Sequence, residues 1–217
     1  MTEFVFPPTE PVSLPVVGST ARFPVRNVFC VGRNYADHVR EMGGDAARSE
    51  PIFFTKSSTA VVQSGTTIAY PPNSADVHHE VELVAAIGPE GVFGYAVGID
   101  LTRRDLQGRA KKAGQPWDRA KNFAQSAPCS AVTRLSECDI DGARIVLRKN
   151  GEIVQAASLS DMIWSVEEIV SRLRADMGLR AGDLVFTGTP AGVGPIRPGD
   201  DLEGGIEGLA PIRIRVT

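Results

Sequence analysis

The most informative segment of the chain reads His78-His79-Glu80-Val81-Glu82-Leu83-Val84-Ala85-Ala86-Ile87. Apolar side chains recur at every second position from Val81 onward, which predicts a β-strand that enters the protein core. Successive side chains of a strand point to opposite faces, so Glu80 and Glu82 share one face. Two neighbouring carboxylates repel each other and are costly to desolvate. A hard divalent cation would resolve this conflict, because Mg²⁺, Mn²⁺ and Ca²⁺ take oxygen ligands. The alternative is a solvated edge strand with an acidic face.

The composition is that of an ordinary globular protein. A length of 217 residues suits one well-buried domain. The net charge of −3 comes from interspersed charges of both signs, so we expect no nucleic-acid partner. No apolar run reaches the length of a membrane span, and the N-terminus lacks the pattern of a signal peptide, so we expect no membrane association. The three cysteines lack C-x-x-C spacing and predict neither a disulfide framework nor a zinc site, which favours a cytoplasmic location.

The chain is predicted to form one domain behind a loose N-terminal arm. Residues 1–24 contain five prolines and little periodicity, so they are expected to extend over the surface or against a partner subunit. Residues 25–217 form the catalytic domain. Strands are predicted at 25–31, 52–55, 80–87, 93–99, 144–149, 152–156, 183–187, 200–203 and 211–216, and helices at 36–42 and 165–177. Many short strands with few helices indicate a β-rich α+β domain, and no alternating βαβ pattern supports a Rossmann fold.

A candidate general base lies in the first predicted helix. His38 and Glu41 are three residues apart and are therefore neighbours on a helical surface. A carboxylate beside an imidazole fixes its tautomer and raises its basicity, as a water-activating pair requires. The alternative is a surface pair worth a few tenths of a kcal/mol. Because residues 40–49 are charged and contain glycine, they are a candidate lid, and Glu41 could join His38 only when that lid closes.

A third carboxylate follows another predicted strand. The apolar run 95–99 ends at Asp100, where the chain becomes polar. Together with Glu80 and Glu82, this residue would complete a three-carboxylate cage with open positions for water or substrate. Arg104 and Gln107 are again three residues apart, and on a helical turn both could face the open side of the metal.

Lys121 is a candidate cation for an anionic substrate. It follows Trp117 and precedes Phe123, so aromatic side chains flank it. The alternative is an ordinary lysine whose stem lies along an apolar surface while its ammonium stays in water.

A glycine-rich segment, residues 187–194, follows the last strand of the central region. It lacks the Lys-Ser/Thr pair of a phosphate-binding loop, and no helix follows it. We interpret it as a wall in which the Thr189 hydroxyl and nearby backbone N–H groups are available to an oxyanion or carboxylate.

Considered together, these motifs resemble the fumarylacetoacetate hydrolase superfamily. The similarity is strongest to its small single-domain acylpyruvate and fumarylpyruvate hydrolases, and it runs in family order from about residue 25 to the end. The matching segments are VGRNYADH (31–38), HEVEL (79–83), GIDLTRRD (98–105), AKNF (120–123) and TGTPAGVG (187–194).

The resemblance implies a mixed β-sheet roll or sandwich, usually a homodimer, with one Mg²⁺ or Mn²⁺ per subunit and Ca²⁺ as a substitute in crystals. It assigns the metal ligands to Glu80, Glu82 and Asp100, and the water-activating pair to His38 and Glu41, with Lys121 as a further catalytic residue. Candidate substrate-binding residues are Arg33, Tyr35, Arg104, Gln107 and Thr189.

The implied reaction is cleavage of a 3-acylpyruvate, in particular fumarylpyruvate to fumarate and pyruvate as in aromatic degradation. His38 would deprotonate a water that attacks the C4 carbonyl, and the metal and Lys121 would stabilise the pyruvate enolate that leaves. Candidates for the distal carboxylate of fumarylpyruvate are Arg33, Arg40 and Arg103. The same centre would also suit an oxaloacetate decarboxylase or a 2-oxo-diacid keto–enol tautomerase. A binding module without catalysis is a further alternative.

Overall fold

The computed structural model describes residues 4–43 and 50–217 of the chain. The strands are β1 (Ser13–Pro15), β2 (Arg22–Pro24), β3 (Val28–Gly32), β4 (Ile52–Lys56), β5 (Val61–Gln63), β6 (Thr67–Ile68), β7 (Val77–His79), β8 (Val81–Ile87), β9 (Val92–Ile99), β10 (Thr102–Arg103), β11 (Ala127–Cys129), β12 (Thr133–Arg134), β13 (Arg144–Lys149), β14 (Glu152–Ser158), β15 (Leu184–Phe186), β16 (Gly194–Pro195), β17 (Asp201–Ile206) and β18 (Ile212–Val216). The α-helices are α1 (Ala36–Glu41), α2 (Arg104–Ala113), α3 (Asp118–Lys121) and α4 (Val166–Met177). The predicted lid and arm extend into residues 44–49 and 1–3, which lie outside the described residues.

Three mixed or antiparallel sheets make up the body of the protein. The eight-stranded sheet has the order β4-β3-β15-β8-β9-β11-β5, with β12 paired to β9. The pairs β3–β15 and β5–β11 are parallel, and the remaining pairs of this sheet are antiparallel. A five-stranded sheet has the order β14-β13-β17-β18-β6, and a three-stranded sheet has the order β10-β7-β16. This architecture confirms the predicted β-rich mixed-sheet fold with few helices.

The segment around the two glutamates passes from one sheet to another. Strand β7 belongs to the three-stranded sheet and β8 to the eight-stranded sheet, and Glu80 lies between them. The predicted single strand over 80–87 therefore begins one residue later, at Val81. Strand β8 lies in the middle of its sheet and all seven of its residues are buried, so the solvated edge-strand alternative was wrong.

The alternation in β8 separates two hydrophobic cores. Val81, Leu83, Ala85 and Ile87 join the larger core, while Val84 and Ala86 join the smaller one. The larger core continues into the five-stranded sheet and α4 through Ile145, Leu147, Leu202, Ile212, Ile214, Ile169 and Leu173. The smaller core includes Leu14, Phe23, Cys30, Leu184 and Phe186. Both faces of β8 are therefore covered, which explains why the strand is buried throughout.

The predicted helix over 165–177 and the predicted strands over 144–149 and 152–156 are confirmed. Helix α4 begins after Ser165, whose hydroxyl accepts the Glu168 N–H at 3.3 Å while the Glu168 carboxylate accepts the Ser165 N–H at 3.0 Å. The turn between β13 and β14 uses Asn150 and Gly151 with φ of 54° and 88°. Helix α2 was predicted only as a possible turn, because it is polar and buries only Leu106 and Gln107.

The predicted N-terminal arm contains ordered structure. Strands β1 and β2 pair antiparallel, and Leu14, Val16 and Phe23 enter the smaller core. Packing of these apolar residues accounts for the hairpin despite the prolines. The boundary at residue 25 stays a prediction. None of the helices in the described ranges is long and apolar enough to cross a membrane.

Candidate metal centre and its cavity

Three carboxylates meet where β7, β8 and β9 come together. The Asp100 N–H donates to the Glu80 carbonyl at 2.8 Å, which aligns the end of β9 with the start of β8. Each of Glu80, Glu82 and Asp100 offers one oxygen, and these oxygens all lie within 4.8 Å of one another. Their exposed fractions are only 4%, 1% and 0%. Such a buried acidic triad could hold a divalent metal.

Cationic side chains neutralise part of this charge. The Lys121 ammonium lies 2.6 Å from both Glu80 Oε2 and Asp100 Oδ2, and Arg104 contacts Glu80 Oε1. Burial raises the pKa of Glu80, but the charges of Lys121 and Arg104 outweigh it and hold that pKa well below its usual range. Burial lowers the pKa of Lys121, but Asp100 and Glu80 hold that pKa above its ordinary value. Glu80 and Lys121 are therefore both ionised near neutral pH.

Among the residues that the structure describes, no cationic side chain forms an ion pair with Glu82. Its Oε2 accepts the Gly188 N–H at 2.8 Å. Burial, Asp100 and Glu80, in that order, raise the pKa of Glu82 well above its ordinary value. A cation is therefore needed to keep this carboxylate ionised, and a cluster of carboxylate oxygens is the donor set that Mg²⁺ and Mn²⁺ prefer. The residues present fit a hard divalent metal.

Sequence reasoning missed Lys56, the last residue of β4. Its ammonium lies 2.8 Å from Asp100 Oδ1 and donates to the Leu101 carbonyl at 3.2 Å and to Ser126 Oγ at 3.0 Å. The contact with Asp100 is an ion pair without hydrogen-bond alignment, so Oδ1 has no hydrogen-bond donor among the described residues. Lys56 is 3% exposed. The signal that could have revealed it is a lysine at the end of the apolar strand Ile52–Lys56.

Replacing Lys56 by Met should destabilise the metal-free protein. Removing one partner of a buried ion pair costs about 3–5 kcal/mol, and we expect the lower end because Lys121 still contacts Asp100. Urea unfolding of the metal-free protein measures the change. Lys149→Met, which removes a strand lysine that donates to the Pro195 carbonyl, is the matched control. An unfolding free energy equal to that of the control would contradict this role for Lys56.

The glycine-rich segment closes one side of the centre. The Asn34 side chain, another residue missed in the sequence, donates to the Thr187 carbonyl at 2.8 Å and holds the segment beside α1. Gly188 has φ of +100°, and a Cβ there would lie 2.7 Å from Asn34 Cβ. Only glycine therefore fits at this position without displacing Asn34.

Most polar groups of residues 187–194 form hydrogen bonds within the protein, whereas the sequence predicted that they are available to a ligand. The Thr189 hydroxyl donates to the Val81 carbonyl at 2.8 Å and accepts from Gln155 Nε2 at 2.9 Å. The N–H groups of Gly188 and Gly192 donate to glutamate carboxylates rather than pointing to a free oxyanion site. Thr189 still lines the cavity, where its oxygen can accept a hydrogen bond.

The predicted water-activating pair, His38 and Glu41, is in contact in the structure. His38 Nδ1 lies 3.2 Å from Glu41 Oε2, and Glu41 Oε1 accepts the Gly192 N–H at 3.1 Å. The contact with the carboxylate favours the tautomer with the proton on Nδ1, which leaves Nε2 as the basic atom. Burial lowers the pKa of His38, and this outweighs the opposite effects of Glu80 and Glu41. His38 is therefore neutral near pH 7 and can accept a proton.

Arg104 is positioned by its neighbours. It donates to Gln107 Oε1 at 2.6 Å and to His78 Nδ1 at 3.3 Å, in addition to its contact with Glu80. His78 Nε2 in turn lies 3.0 Å from Asp76 Oδ1. This chain of contacts holds the guanidinium between the carboxylates and the cavity.

One cavity connects these groups. Eight predicted site residues line it: Arg33, His38, Glu80, Glu82, Arg104, Gln107, Lys121 and Thr189. The lining also includes Met42, Phe54, Lys111 and Trp117, which were not predicted. Asp100 and Glu41 do not line the cavity, but they contact Lys121 and His38, respectively. Tyr35 is 1% exposed, does not line the cavity, and its hydroxyl has no hydrogen-bond partner among the described residues.

Known proteins are similar to this chain in both sequence and fold. The family model "Fumarylacetoacetate (FAA) hydrolase C-terminal" matches residues 27–217. The mitochondrial oxaloacetate tautomerase FAHD1 of Mus musculus is 42% identical over 203 residues, covering 88% of this chain and 91% of the relative. Fumarylpyruvate hydrolase of a Ralstonia species is 39% identical over 183 residues, covering 79% and 95%. The crystal structure of fumarylpyruvate hydrolase from Pseudomonas aeruginosa, in complex with Mn²⁺ and pyruvate, superposes with a TM-score of 0.95 at 46% identity over 99% of both chains.

Proposed function

The chain belongs to the fumarylacetoacetate hydrolase family, and we propose that it is a metal-dependent hydrolase that cleaves a 3-acylpyruvate, with fumarylpyruvate as the first candidate substrate. The observation that carries the proposal is the buried acidic triad, of which Glu80 and Glu82 line the same cavity as the His38 imidazole. The similar crystal structure, which contains Mn²⁺ and pyruvate, supports a divalent metal as the cofactor and pyruvate as a product. The homodimer and the cytoplasmic location stay predictions.

The proposed metal ligands are Glu80, Glu82 and Asp100, and the metal is Mg²⁺ or Mn²⁺. A bound divalent cation would supply a Lewis acid for the oxo and carboxylate oxygens of the substrate. Lys56 and Lys121 hold the two oxygens of Asp100 on opposite sides, at 2.8 and 2.6 Å. The protein thereby keeps this carboxylate in one orientation.

The proposed general base is His38, positioned by Glu41. The imidazole takes a proton from water, the water oxygen bonds to the C4 carbonyl carbon, and the C3–C4 bond breaks. The electron pair of that bond leaves with pyruvate, which takes up a proton, and the acyl part leaves as the free acid. The Lys121 ammonium and Arg104 guanidinium stabilise the negative charge that develops beside them. Gln107 and Thr189 orient the substrate through hydrogen bonds.

The acid limb of the pH–rate profile should report His38. Only the neutral imidazole accepts a proton, and burial lowers its pKa, so kcat/KM should fall only below the ordinary histidine pKa of about 6.5. The Glu41 hydrogen bond and charge raise the pKa of His38, so Glu41→Gln should move this limb to lower pH. It should also reduce the plateau by about tenfold or more. Measuring kcat/KM from about pH 5 to about pH 8 tests both effects. A limb that does not move in Glu41→Gln would contradict the role of Glu41.

Oxaloacetate tautomerisation is the second candidate function. The Mus musculus relative that bears this activity in its name covers 88% of the chain at 42% identity. This reaction moves a proton between carbon and oxygen without an attacking water, and the His38–Glu41 pair could carry that proton as well. The Lys121 ammonium and the Arg104 guanidinium would then stabilise an enolate of oxaloacetate rather than a departing pyruvate.

A spectrophotometric comparison of substrates tests the proposal. Fumarylpyruvate, acetylpyruvate and oxaloacetate are each mixed with the protein and Mn²⁺ or Mg²⁺, before and after treatment with a chelator. Hydrolysis predicts metal-dependent loss of absorbance of the 2,4-dioxo acids and formation of pyruvate. Tautomerisation of oxaloacetate without hydrolysis of either dioxo acid would establish the second candidate instead. Turnover of none of them would overturn both.

A further inference from the structure

Two cations at the rim of the cavity are not used by the proposed chemistry. Arg33 and Lys111 both line the cavity and are exposed at its mouth. Neither side chain has a hydrogen bond or a carboxylate partner within residues 4–43 and 50–217. The inner cations Arg104 and Lys121, in contrast, contact Glu80. Positive charge at the rim is therefore not neutralised by the described residues that surround it.

Helix α2 aligns Lys111 with Arg104, the cation that contacts Glu80. Arg104, Gln107 and Lys111 are separated by three and four residues, so they lie on one face of the helix. The helix advances about 10 Å between Arg104 and Lys111 at its usual rise. Arg104 marks the end of this row at the carboxylates, and Lys111 marks the end at the mouth. The far end of a ligand bound at the metal centre would therefore lie near Lys111.

Aromatic side chains line the cavity between the two ends. The Lys111 ammonium lies 5.2 Å from the centre of the Trp117 ring, and the Trp117 and Phe54 rings are 6.0 Å apart. All three side chains line the cavity. The aromatic rings offer an apolar wall to the chain, and the contact with Trp117 restrains the ammonium over that wall.

The electrostatics agree with this geometry. Burial lowers the pKa of Lys111, and the positive charges of Arg104 and Arg33 lower it further. The ammonium therefore lies in a region of positive electrostatic potential, which favours binding of an anion. The other arginines considered from the sequence do not reach this region. Arg40 pairs with Asp37, Arg103 stacks on Phe123 with 4.4 Å between its guanidinium carbon and the ring centre, and neither lines the cavity.

We infer that Lys111, together with Arg33, binds a second carboxylate at the acyl end of the substrate, so that the cavity selects oxo diacids over oxo monoacids. This inference rests on the proposed function, because the metal centre defines which end of the oxo acid lies inside. Lys111 is thus a specificity residue for the same site. A diacid several carbons long, such as fumarylpyruvate, spans the row better than a four-carbon diacid.

Binding of two matched acids tests the inference without turnover. The first is 2-oxoheptanedioate, which has the chain length and both carboxylates of fumarylpyruvate but lacks the C4 carbonyl. The second is 2-oxoheptanoate, which lacks the distal carboxylate. Calorimetry on the Mn²⁺-loaded wild-type protein should give about 10- to 100-fold tighter binding of the diacid, because one charge-assisted contact contributes about 1.5–3 kcal/mol. Lys111→Met should lose at least about tenfold of that preference, since it loses the same contact.

Matched variants separate this effect from general loss of charge. Lys112→Met removes the neighbouring exposed lysine, which does not line the cavity, and should keep the preference. Lys111→Arg should retain most of it, and binding of the monoacid should be unchanged in all three variants. With substrates, Lys111→Met should lower kcat/KM for fumarylpyruvate by about tenfold while leaving acetylpyruvate unaffected.

The outcomes distinguish this inference from the proposed function. Equal binding of both acids to the wild-type protein would overturn the inference alone. An undiminished preference in Lys111→Met would do the same. Binding of neither acid to the wild-type protein would overturn the proposed oxo-acid site, and the inference with it.

Discussion

Replacing Glu82 by Gln is expected to abolish tight binding of Mn²⁺ or Mg²⁺ while the metal-free protein stays folded. Glu82 is one of the three proposed ligands, and unlike the other two it forms no ion pair with any residue in the described ranges. Loss of this ligand should weaken metal affinity and lower turnover by at least about 100-fold, since even supporting contacts of a metal site contribute about 10–100-fold. Titration calorimetry measures the affinity.

The metal-free variant should be as stable as the wild-type protein or more stable. The pKa of Glu82 is raised in the folded state, so its ionised form destabilises the fold as the pH rises above the ordinary carboxyl pKa. Glutamine removes that penalty and can still accept the Gly188 N–H. Added Mn²⁺ should raise the melting temperature of the wild-type protein but not of Glu82→Gln.

Glu152→Gln is the control for the loss of one glutamate charge. Glu152 lies at the exposed start of β14, so both its metal affinity and its metal-dependent melting shift should equal those of the wild-type protein. Unchanged metal affinity in Glu82→Gln would remove this residue from the metal site.

Replacing His38 by Ala is expected to lower kcat by about 10²–10⁴-fold without changing metal affinity. His38 lines the cavity and is buried, neutral and paired with Glu41, as a general base requires. No hydrogen bond joins it to Glu80, Glu82 or Asp100, so the metal centre should stay intact. Steady-state kinetics with a 2,4-dioxo acid and calorimetry with Mn²⁺ together measure the two effects.

Asp37→Asn is the control for the His38 variant. Asp37 lies next to His38 on α1, but its side chain is exposed and pairs with Arg40. Its removal should change kcat little. Undiminished turnover in His38→Ala would exclude this imidazole as the base, and a parallel loss of metal affinity would indicate a structural role instead.

Features set by local sequence were predictable. The period of two in 81–87 predicted a strand with both glutamates on one face, and β8 indeed has a different core on each side. The spacing of His38 and Glu41 predicted their contact, because residues three apart on a helix are neighbours. The predicted start of the helix at residue 165 also depends on short-range contacts, since Ser165 and Glu168 cap each other three residues apart.

Contacts between distant parts of the chain were not predictable in this way. Lys56 meets Asp100, and Asn34 meets Thr187, across large sequence separations and without any periodic pattern. Lys111 was missed because only a single helical turn was predicted after Arg104, so its alignment with Arg104 and Gln107 emerged only from the structure. The sequence predicted that the Thr189 hydroxyl is available to a ligand. It does not reveal that this hydroxyl already donates to the Val81 carbonyl and accepts from Gln155.

The most direct test of the metal centre is anomalous diffraction at a wavelength chosen for manganese, from crystals of the protein grown with Mn²⁺. We expect one strong anomalous peak per subunit, bounded by the carboxylates of Glu80, Glu82 and Asp100 and open toward His38. Crystals of Glu82→Gln should lack this peak. A peak at other residues, or none in the wild-type protein at saturating Mn²⁺, would contradict the account.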